Sequence, residues 1–493
     1  MNYNSILKNR YLLIFRYISF LTMFAALVIL TPLVILPWYP GELPYTLPFI
    51  NSALIALATG VFLYIITRKN DPEVTLSLQE GGVIVVISWL LASIFFALPF
   101  ILAGKLNFTQ ALFESVSGIT TTGLSVVDVT TTPAVFLLWR SIMHFLGGAG
   151  LAVIMLSAII NPYGFGIYQA EGRSDQLLPH VKRSAKMIMI IYSGYVFSGI
   201  VIYYLLGMGL FDSINHSMAA LSTGGFSTRS ESIGYYNSFP IEIATCLLMV
   251  LGNLNFATHY VLLRGKFKTF FKNGEVKLQI FLYSLLIPLV AFLGLGGVAG
   301  RLSDSFRIAI FQVISALSTT GFSTVSFSGW PAFGMMVIIL LMLIGGGAGS
   351  TAGGIKQFRI HFLFKSLLVE IKNIFKPKNA VSYDYVWRGA EQMKITAANV
   401  RSVANYVFLY MLLYFSGVLI FLSQGFELEE SMFEFSSALG TVGLSAGIIG
   451  AEAPGVILWT STTAMFLGRL EFMIIFISIV KIFKDCKDIQ NQI

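Results

Sequence analysis

The stretch SALSTTGFSTVS, Ser315–Ser326, is small, hydroxylated and centred on Gly321, yet it lies between strongly apolar segments. It belongs to AIFQVISALSTTGFSTV (309–325), and three further stretches align with that one without gaps when set on their glycines. These are ALFESVSGITTTGLSVV (111–127) on Gly123, SINHSMAALSTGGFSTR (213–229) on Gly225 and SMFEFSSALGTVGLSAG (431–447) on Gly443. Each has a half-apolar helical lead, a Thr/Ser/Gly run, then Leu or Phe, then Ser. Each lead is shorter than the roughly 20 residues that cross a bilayer. One T-T-G is an ordinary turn. Four in register, each behind a half-helix, are an internal repeat that governs the fold.

The setting of the repeat is a membrane. The 493 residues are 56% hydrophobic and 11% charged, with a mean hydropathy of +0.78. A soluble domain carries about a quarter charged residues. Long apolar runs rather than short alternating ones exclude a β-barrel. The first run, after MNYNSILKNRYLLIFRY, lacks an A-x-A cleavage site and reads as a retained helix. Helical spans are expected at 11–38, 47–67, 81–103, 134–160, 184–208, 239–263, 277–298, 330–374 (interrupted), 403–424 and 455–483. The net charge of +8 is not a nucleic-acid signal, because of how it is distributed. Lys8, Arg10, Arg16, Arg68, Lys69, the cluster Arg173–Lys186, Arg264–Lys277, Lys356–Arg401 and Lys481–Lys487 fall on one side. Lys105, Arg229, Arg301 and Arg307 fall on the other. The positive-inside rule makes the rich side cytoplasmic, with both termini there. Cys246 and Cys486 stand in unrelated contexts and imply neither a disulfide nor a metal site. The connections 168–186 and 375–394 are too short to be folded soluble domains.

The expected architecture is an all-α membrane protein. A helix pair (1–70) precedes four helix–pore loop–helix units: 71–167, 168–265, 266–374 with an interrupted second helix, and 375–493, which begins with a cytoplasmic linker. Four related units closing around a pseudo-fourfold axis bring the polar loops together, where they line a passage and not lipid. The loop residues are Thr120, Thr121, Thr122 and Gly123; Ser222, Thr223, Gly224 and Gly225; Ser318, Thr319, Thr320 and Gly321; and Gly440, Thr441, Val442 and Gly443. None is charged. Extended, they offer backbone carbonyls and hydroxyls, the groups that replace the water shell of a monovalent cation. Glycine suits backbone angles that a Cβ opposes. The half-helices point their negative C-terminal ends at the passage, which favours a cation. Asp212, Glu231, Asp304, Glu427, Glu429, Glu430 and Glu452 fall on the outer side and suggest an acidic vestibule. Glu114 and Glu434 hold equivalent places, taken by His216 and Gln312 in the other units, and suit hydrogen bonding behind the loops.

These motifs carry a resemblance to a known family. TVGLS in the fourth loop resembles the start of the potassium-channel filter. The four loops, LWRSIMHFLGGAGLAVIML after the first, GGGAGSTAGGIK in the third unit and MFLGRLEF in the fourth together resemble the Trk/Ktr/HKT superfamily of potassium transporters over nearly the whole chain. The two extra N-terminal helices resemble the Trk type. The resemblance implies a K⁺ pore in each chain, with K⁺ as the transported ion and no organic cofactor. It also implies a homodimer in the plasma (inner) membrane and a cytosolic nucleotide-binding regulatory subunit of RCK type. Na⁺-preferring HKT members carry serine at the first filter position; Gly123 here implies K⁺. The Gly-rich run Gly345, Gly346, Gly347, Ala348, Gly349, Ser350, Thr351, Ala352, Gly353 and Gly354 resembles the family's intramembrane gating loop. Arg469 matches its arginine in the permeation path.

The residues themselves are compatible with these roles. A Gly-rich strip at membrane depth has several backbone states close in energy, which suits a gate. Arg469 in an apolar helix reads as functional, against a salt bridge with Glu471 or snorkelling. Arg140 reads as structural. Lys356 reads equally as part of the gate or as a cytoplasmic anchor. GGGAGSTAGGIK lacks GK[ST] and follows no strand, so it is not a phosphate loop. The five histidines show no metal spacing, and no nucleophile–base pair marks an enzyme. K⁺ uptake is the reading; Na⁺ conduction or H⁺- or Na⁺-coupled symport by the same fold stays open.

Overall fold

The computed structural model describes residues 3–68, 76–150, 181–295, 300–375, 384–388 and 391–490. Expected features at 151–180, which include the end of span 134–160 and most of the connection 168–186, lie outside these residues. Six described helices are long and apolar enough to cross a membrane.

The N-terminal pair is α1 (Tyr3–Ile29) and α2 (Thr46–Thr67). Pro32, Pro37, Pro40 and Pro44 punctuate the segment between them, which folds as two short 3₁₀ helices. The pair packs on α3 (Leu78–Leu102), the first helix of unit one. Arg10 pairs with Glu80 at 2.7 Å at one end. At the other, Glu42 accepts the backbone N–H groups of Ala134 and Val135 at 2.7 and 2.9 Å. It thereby caps α5 (Ala134–Ala149) with negative charge from another segment.

Each unit contributes a first helix, a half-helix and a second helix. Unit one is α3, α4 (Phe108–Ile119) and α5; unit two is α6 (Val181–Leu205), α7 (Leu210–Leu221), α8 (Phe239–Asn253) and α9 (Phe256–Leu263). After α10 (Phe267–Phe270), unit three has α11 (Gly274–Leu289), α12 (Leu302–Leu317), α13 (Ala332–Ile344) and α14 (Gln357–Ile374). Unit four has α15 (Ala397–Ser423), α16 (Leu428–Gly440), α17 (Gly455–Arg469) and α18 (Phe472–Gln490). Half-helix α7 packs on α5 of unit one, α12 on α8 of unit two, α16 on α13 of unit three, and α4 on α17 of unit four. That cyclic order closes the four units on themselves.

The spans 239–263 and 455–483, expected to be continuous, are broken. The axis of α8 turns by 111° into α9. Between α17 and α18 the chain turns at Leu470–Glu471, with Glu471 at φ 51°. Interruption is therefore not confined to unit three. Gly147, Gly252, Gly345 and Gly468 stand equally far past the N-caps Pro133, Ser238, Pro331 and Pro454. A Cβ on Gly147, Gly252 or Gly468 would meet the carbonyl oxygen of Ile119, Leu221 or Leu439 at 1.8, 2.6 and 2.1 Å. Glycine thus lets the second helices of units one, two and four press on the ends of their half-helices, while Gly345 of unit three abuts Gly353 of the Gly-rich run. The connection 375–394 also holds more than a linker: Tyr385–Arg388 pairs antiparallel with Glu391–Lys394. This hairpin rests near α11 and α14, where Lys365 Nζ donates to the Tyr385 carbonyl at 2.5 Å.

Candidate ion pathway

Each half-helix ends one or two residues before a strained backbone position. Thr121, Thr223, Thr319 and Thr441 have φ of 55, 53, 54 and 50°. A left-handed β-branched residue is a genuine outlier, and four at one repeat position are a built feature. The glycines two residues on, Gly123, Gly225, Gly321 and Gly443, are left-handed too, at 91, 72, 80 and 100°. They also form a circuit. A Cβ on Gly123 would lie 2.1 Å from the Gly224 carbonyl oxygen, and one on Gly225 2.1 Å from that of Thr320. One on Gly321 would lie 2.0 Å from that of Val442, and one on Gly443 2.2 Å from that of Thr122. Loop one abuts loop two, two abuts three, three abuts four, and four returns to one. The four loops therefore meet in a closed circuit through Gly123, Gly225, Gly321 and Gly443.

The four glycines floor an open cavity of about 360 Å³. Its wall carries Ser125, Ser227, Ser323 and Ser445, the serines that follow each glycine by two. The expected acidic residues do not line it. Asp212 is buried and taken up by Arg229 at 2.8 Å, Thr228 at 2.6 Å and Tyr236 at 2.8 Å. Among the lining residues the one carboxylate is Asp128, whose pKa is held below the ordinary range by the hydroxyl and amide of Thr130. A sequence places charge on a side of the membrane but not beside its partner, which is why the vestibule is less acidic than expected.

On the opposite end of the loops lies the Gly-rich run of unit three. Thr351 Oγ1 donates toward the carbonyls of Leu221 at 3.1 Å and Gly252 at 2.9 Å, and the Thr223 hydroxyl lies 3.1 Å away. Gly353 N–H donates to Thr319 Oγ1 at 2.8 Å. A Cβ on Gly353 would meet the Gly440 carbonyl oxygen at 2.3 Å. The run thus crosses beneath loops two, three and four. Arg469 completes the crossing, donating to the carbonyls of Thr351 and of Gly147 in unit one. Glu471 pairs with Arg359 at 2.6 Å, whose guanidinium sits 3.7 Å over Tyr406. Lys356 is buried and donates Nζ to the Ala352 carbonyl of the same run.

The run is not loose. Gly346 N–H bonds the Gly353 carbonyl, Gly347 N–H that of Asn253, and Thr351 N–H that of Gly252, at 3.1, 3.1 and 3.3 Å. Ala348 N–H donates to Glu275 at 2.7 Å, Asn255 donates to the Ala348 carbonyl, and Gln357 donates to the Gly345 carbonyl at 3.1 Å. Irregular backbone at this depth needs such partners. Its glycines answer to space and angle: Gly345, Gly349 and Gly354 have φ of 68, 73 and 77°, and a Cβ on Gly346 would meet Asn253 Oδ1 at 2.2 Å.

A family model described as a cation transport protein, TrkH, matches residues 48–295 and 298–488. The chain belongs to the TrkH family. It is 31% identical over 472 residues to the Trk system potassium uptake protein TrkG of Escherichia coli, covering 92% of this chain and 94% of that one. It is 30% identical over 433 residues to an uncharacterized cation transporter of Methanocaldococcus jannaschii, covering 86% and 87%. Its fold matches the crystal structure of the potassium transporter TrkH from Vibrio parahaemolyticus with a TM-score of 0.82 and 28% identity, over 95% of this chain and 98% of that one.

Several residues that shape the pathway of this TrkH-family chain carry no obvious sequence signal. Asn253, Asn255 and Glu275 hold the Gly-rich run, and Glu42 caps unit one. The G-N-L-N of 252–255 is a turn signal inside an apolar run, and it was the one available clue to the break. Arg140, read as structural, is buried against Glu114 at 2.7 Å behind the first loop.

Proposed function

We propose that this chain takes up potassium ions across the plasma membrane, through a pore whose selectivity filter is the ring of loops around Gly123, Gly225, Gly321 and Gly443. The observation that carries the reading is the closed circuit in which each glycine abuts the next loop's carbonyl. Such a ring presents main-chain oxygens from four sides, and carbonyl rings replace an alkali ion's water. The hydroxyls of Thr121 and Thr441 are buried without a hydrogen-bond partner, so they are available to a passing ion or its last waters. No loop residue is charged, which suits a monovalent ion that must leave as readily as it enters. Gly123 in place of serine supports K⁺ over Na⁺.

The run Gly345–Gly354, with Lys356 and Arg469, is the gate in this reading. Its position across the inner ends of three loops supports that role, as does a guanidinium lying where cations would emerge. The reading divides the chain at residues 70, 167, 265 and 374 into a helix pair and four units, and the cyclic packing of the half-helices on neighbouring units supports the number four. Both termini are cytoplasmic by the distribution of lysine and arginine. The working assembly is a homodimer with a cytosolic RCK-type subunit.

The deciding experiment is uptake of ⁸⁶Rb⁺ and ²²Na⁺ into proteoliposomes at a fixed membrane potential, with and without an imposed pH gradient. The expected result is Rb⁺ uptake well above Na⁺ uptake and indifferent to the pH gradient. Equal uptake of the two ions overturns K⁺ selectivity. Dependence on the pH gradient at constant voltage overturns passive conduction and assigns H⁺ coupling.

A further inference from the structure

Behind the four loops stands a second, less regular ring. The residues nine before each filter glycine are Glu114, His216, Gln312 and Glu434, and all four are buried. Each reaches the segment just past its own loop. Glu114 accepts from the Ser125 hydroxyl at 3.0 Å, from Val126 N–H at 3.1 Å and from Arg140 Nε at 2.7 Å. His216 Nε2 lies 2.9 Å from the Ser227 hydroxyl, and Gln312 donates to Thr324 at 3.5 Å. Glu434 accepts from the Ser445 hydroxyl at 2.7 Å, from Ala446 N–H at 2.7 Å and from Ile449 N–H at 3.0 Å.

Units one and four use the same carboxylate differently. In unit one the load is shared. Arg140 also donates to the Ser125 hydroxyl at 2.9 Å and to the Ser227 carbonyl at 3.3 Å, and lies 3.9 Å over the Phe226 ring. One guanidinium therefore ties loop one to loop two. In unit four the place of Arg140, equally far past the N-cap, is held by Ser461. Among the described residues no cation lies within ion-pair distance of Glu434. A buried carboxylate without a counter-charge is retained only where hydrogen bonds hold it. The same three bonds fix the chain directly after Gly443. Gly443 is the residue that closes the ring against the Thr122 carbonyl of loop one.

We propose that Glu434 is the positioning residue of the fourth loop, and that its three hydrogen bonds set how well the pore discriminates K⁺ from Na⁺ at the seam between units four and one. This rests on the filter reading above. A glutamine at 434 keeps the shape but turns one acceptor into a donor, so at least one of the three donors faces an NH₂ group. The loop must shift to relieve it. In unit one the same change would also strip the buried Arg140 of its counter-charge, so only unit four isolates the effect of the hydrogen bonds.

The test is the Rb⁺/Na⁺ uptake ratio in proteoliposomes for Glu434→Gln and Ser445→Ala, with Gly443→Ser alongside. Leaving a buried N–H or O–H donor unsatisfied is expected to lower the ratio roughly tenfold in Glu434→Gln. Ser445→Ala should fall in the same direction. Should Glu434→Gln fail to fold, Ser445→Ala decides. A ratio within twofold of wild type in the folded variants of Glu434 and Ser445, while Gly443→Ser loses discrimination, overturns the inference and leaves the filter intact. An unchanged ratio in Gly443→Ser removes the fourth loop from the filter and overturns the inference with it.

Discussion

Arg469→Ala is the sharpest test of the gate. The guanidinium donates to two carbonyls that belong to different elements, Thr351 in the Gly-rich run and Gly147 at the end of α5. It is the strap that holds the run to unit one. A hydrogen bond from a charged donor contributes about 1.5–3 kcal/mol net. The side chain is half-buried, so the lower figure applies to each bond, about 3 kcal/mol for the two. That shifts a closed–open equilibrium by roughly 150-fold. A gate resting at 1:99 would then be open about 60% of the time. Removing the charge acts in the same direction, because a fixed positive group in a low-dielectric passage repels the permeating cation. The expected outcome is a rise in ⁸⁶Rb⁺ uptake of about tenfold or more per folded protein in proteoliposomes. Arg469→Lys separates the two effects. It keeps the charge but cannot span both carbonyls with a planar fork. If the strap dominates, lysine lies close to alanine; if the charge dominates, it lies close to arginine. Uptake at or below wild type in a folded Arg469→Ala protein refutes the reasoning, since neither effect would then limit flow.

Two further outcomes follow from the same geometry. Gly123→Ser places a Cβ 2.1 Å from the Gly224 carbonyl oxygen, more than 1 Å short of the 3.4 Å at which ordinary contact begins. The left-handed angle adds about 1–2 kcal/mol of strain, so the ring must open and the ²²Na⁺ share of uptake should rise; unchanged selectivity in the variants of all four glycines counts against the filter. Glu42→Ala removes both cap bonds at the start of α5, with an expected loss of about 1–2 kcal/mol. Its thermal unfolding midpoint should fall while the Rb⁺/Na⁺ ratio stays put; a changed ratio with an unchanged midpoint contradicts the capping role.

The ring was legible because glycine is forced there twice, by left-handed φ and by the neighbour's carbonyl, at Gly123, Gly225, Gly321 and Gly443. Two independent demands leave a regular mark. The breaks in units two and four left little trace, the G-N-L-N of 252–255 in unit two apart. Hydropathy continues across Leu254 and Leu470, and an apolar scale records burial without recording direction. The left-handed threonines were hidden for the opposite reason: a β-branched residue argues against the angle it adopts. Only the surrounding ring holds Thr121, Thr223, Thr319 and Thr441 there. Arg140 was read as structural, but its bridge to the Ser227 carbonyl of the next unit depends on a spatial neighbour 87 positions away.

The circuit from Gly123 round to Gly443 is drawn by one polypeptide, so its four sides are spelled separately. A tetramer that builds such an aperture from identical chains alters every side whenever it alters one. Here a single codon changes a single wall. Graded, lopsided apertures are therefore open to this architecture, and the different residues behind the loops, Glu114, His216, Gln312 and Glu434, are that freedom already in use.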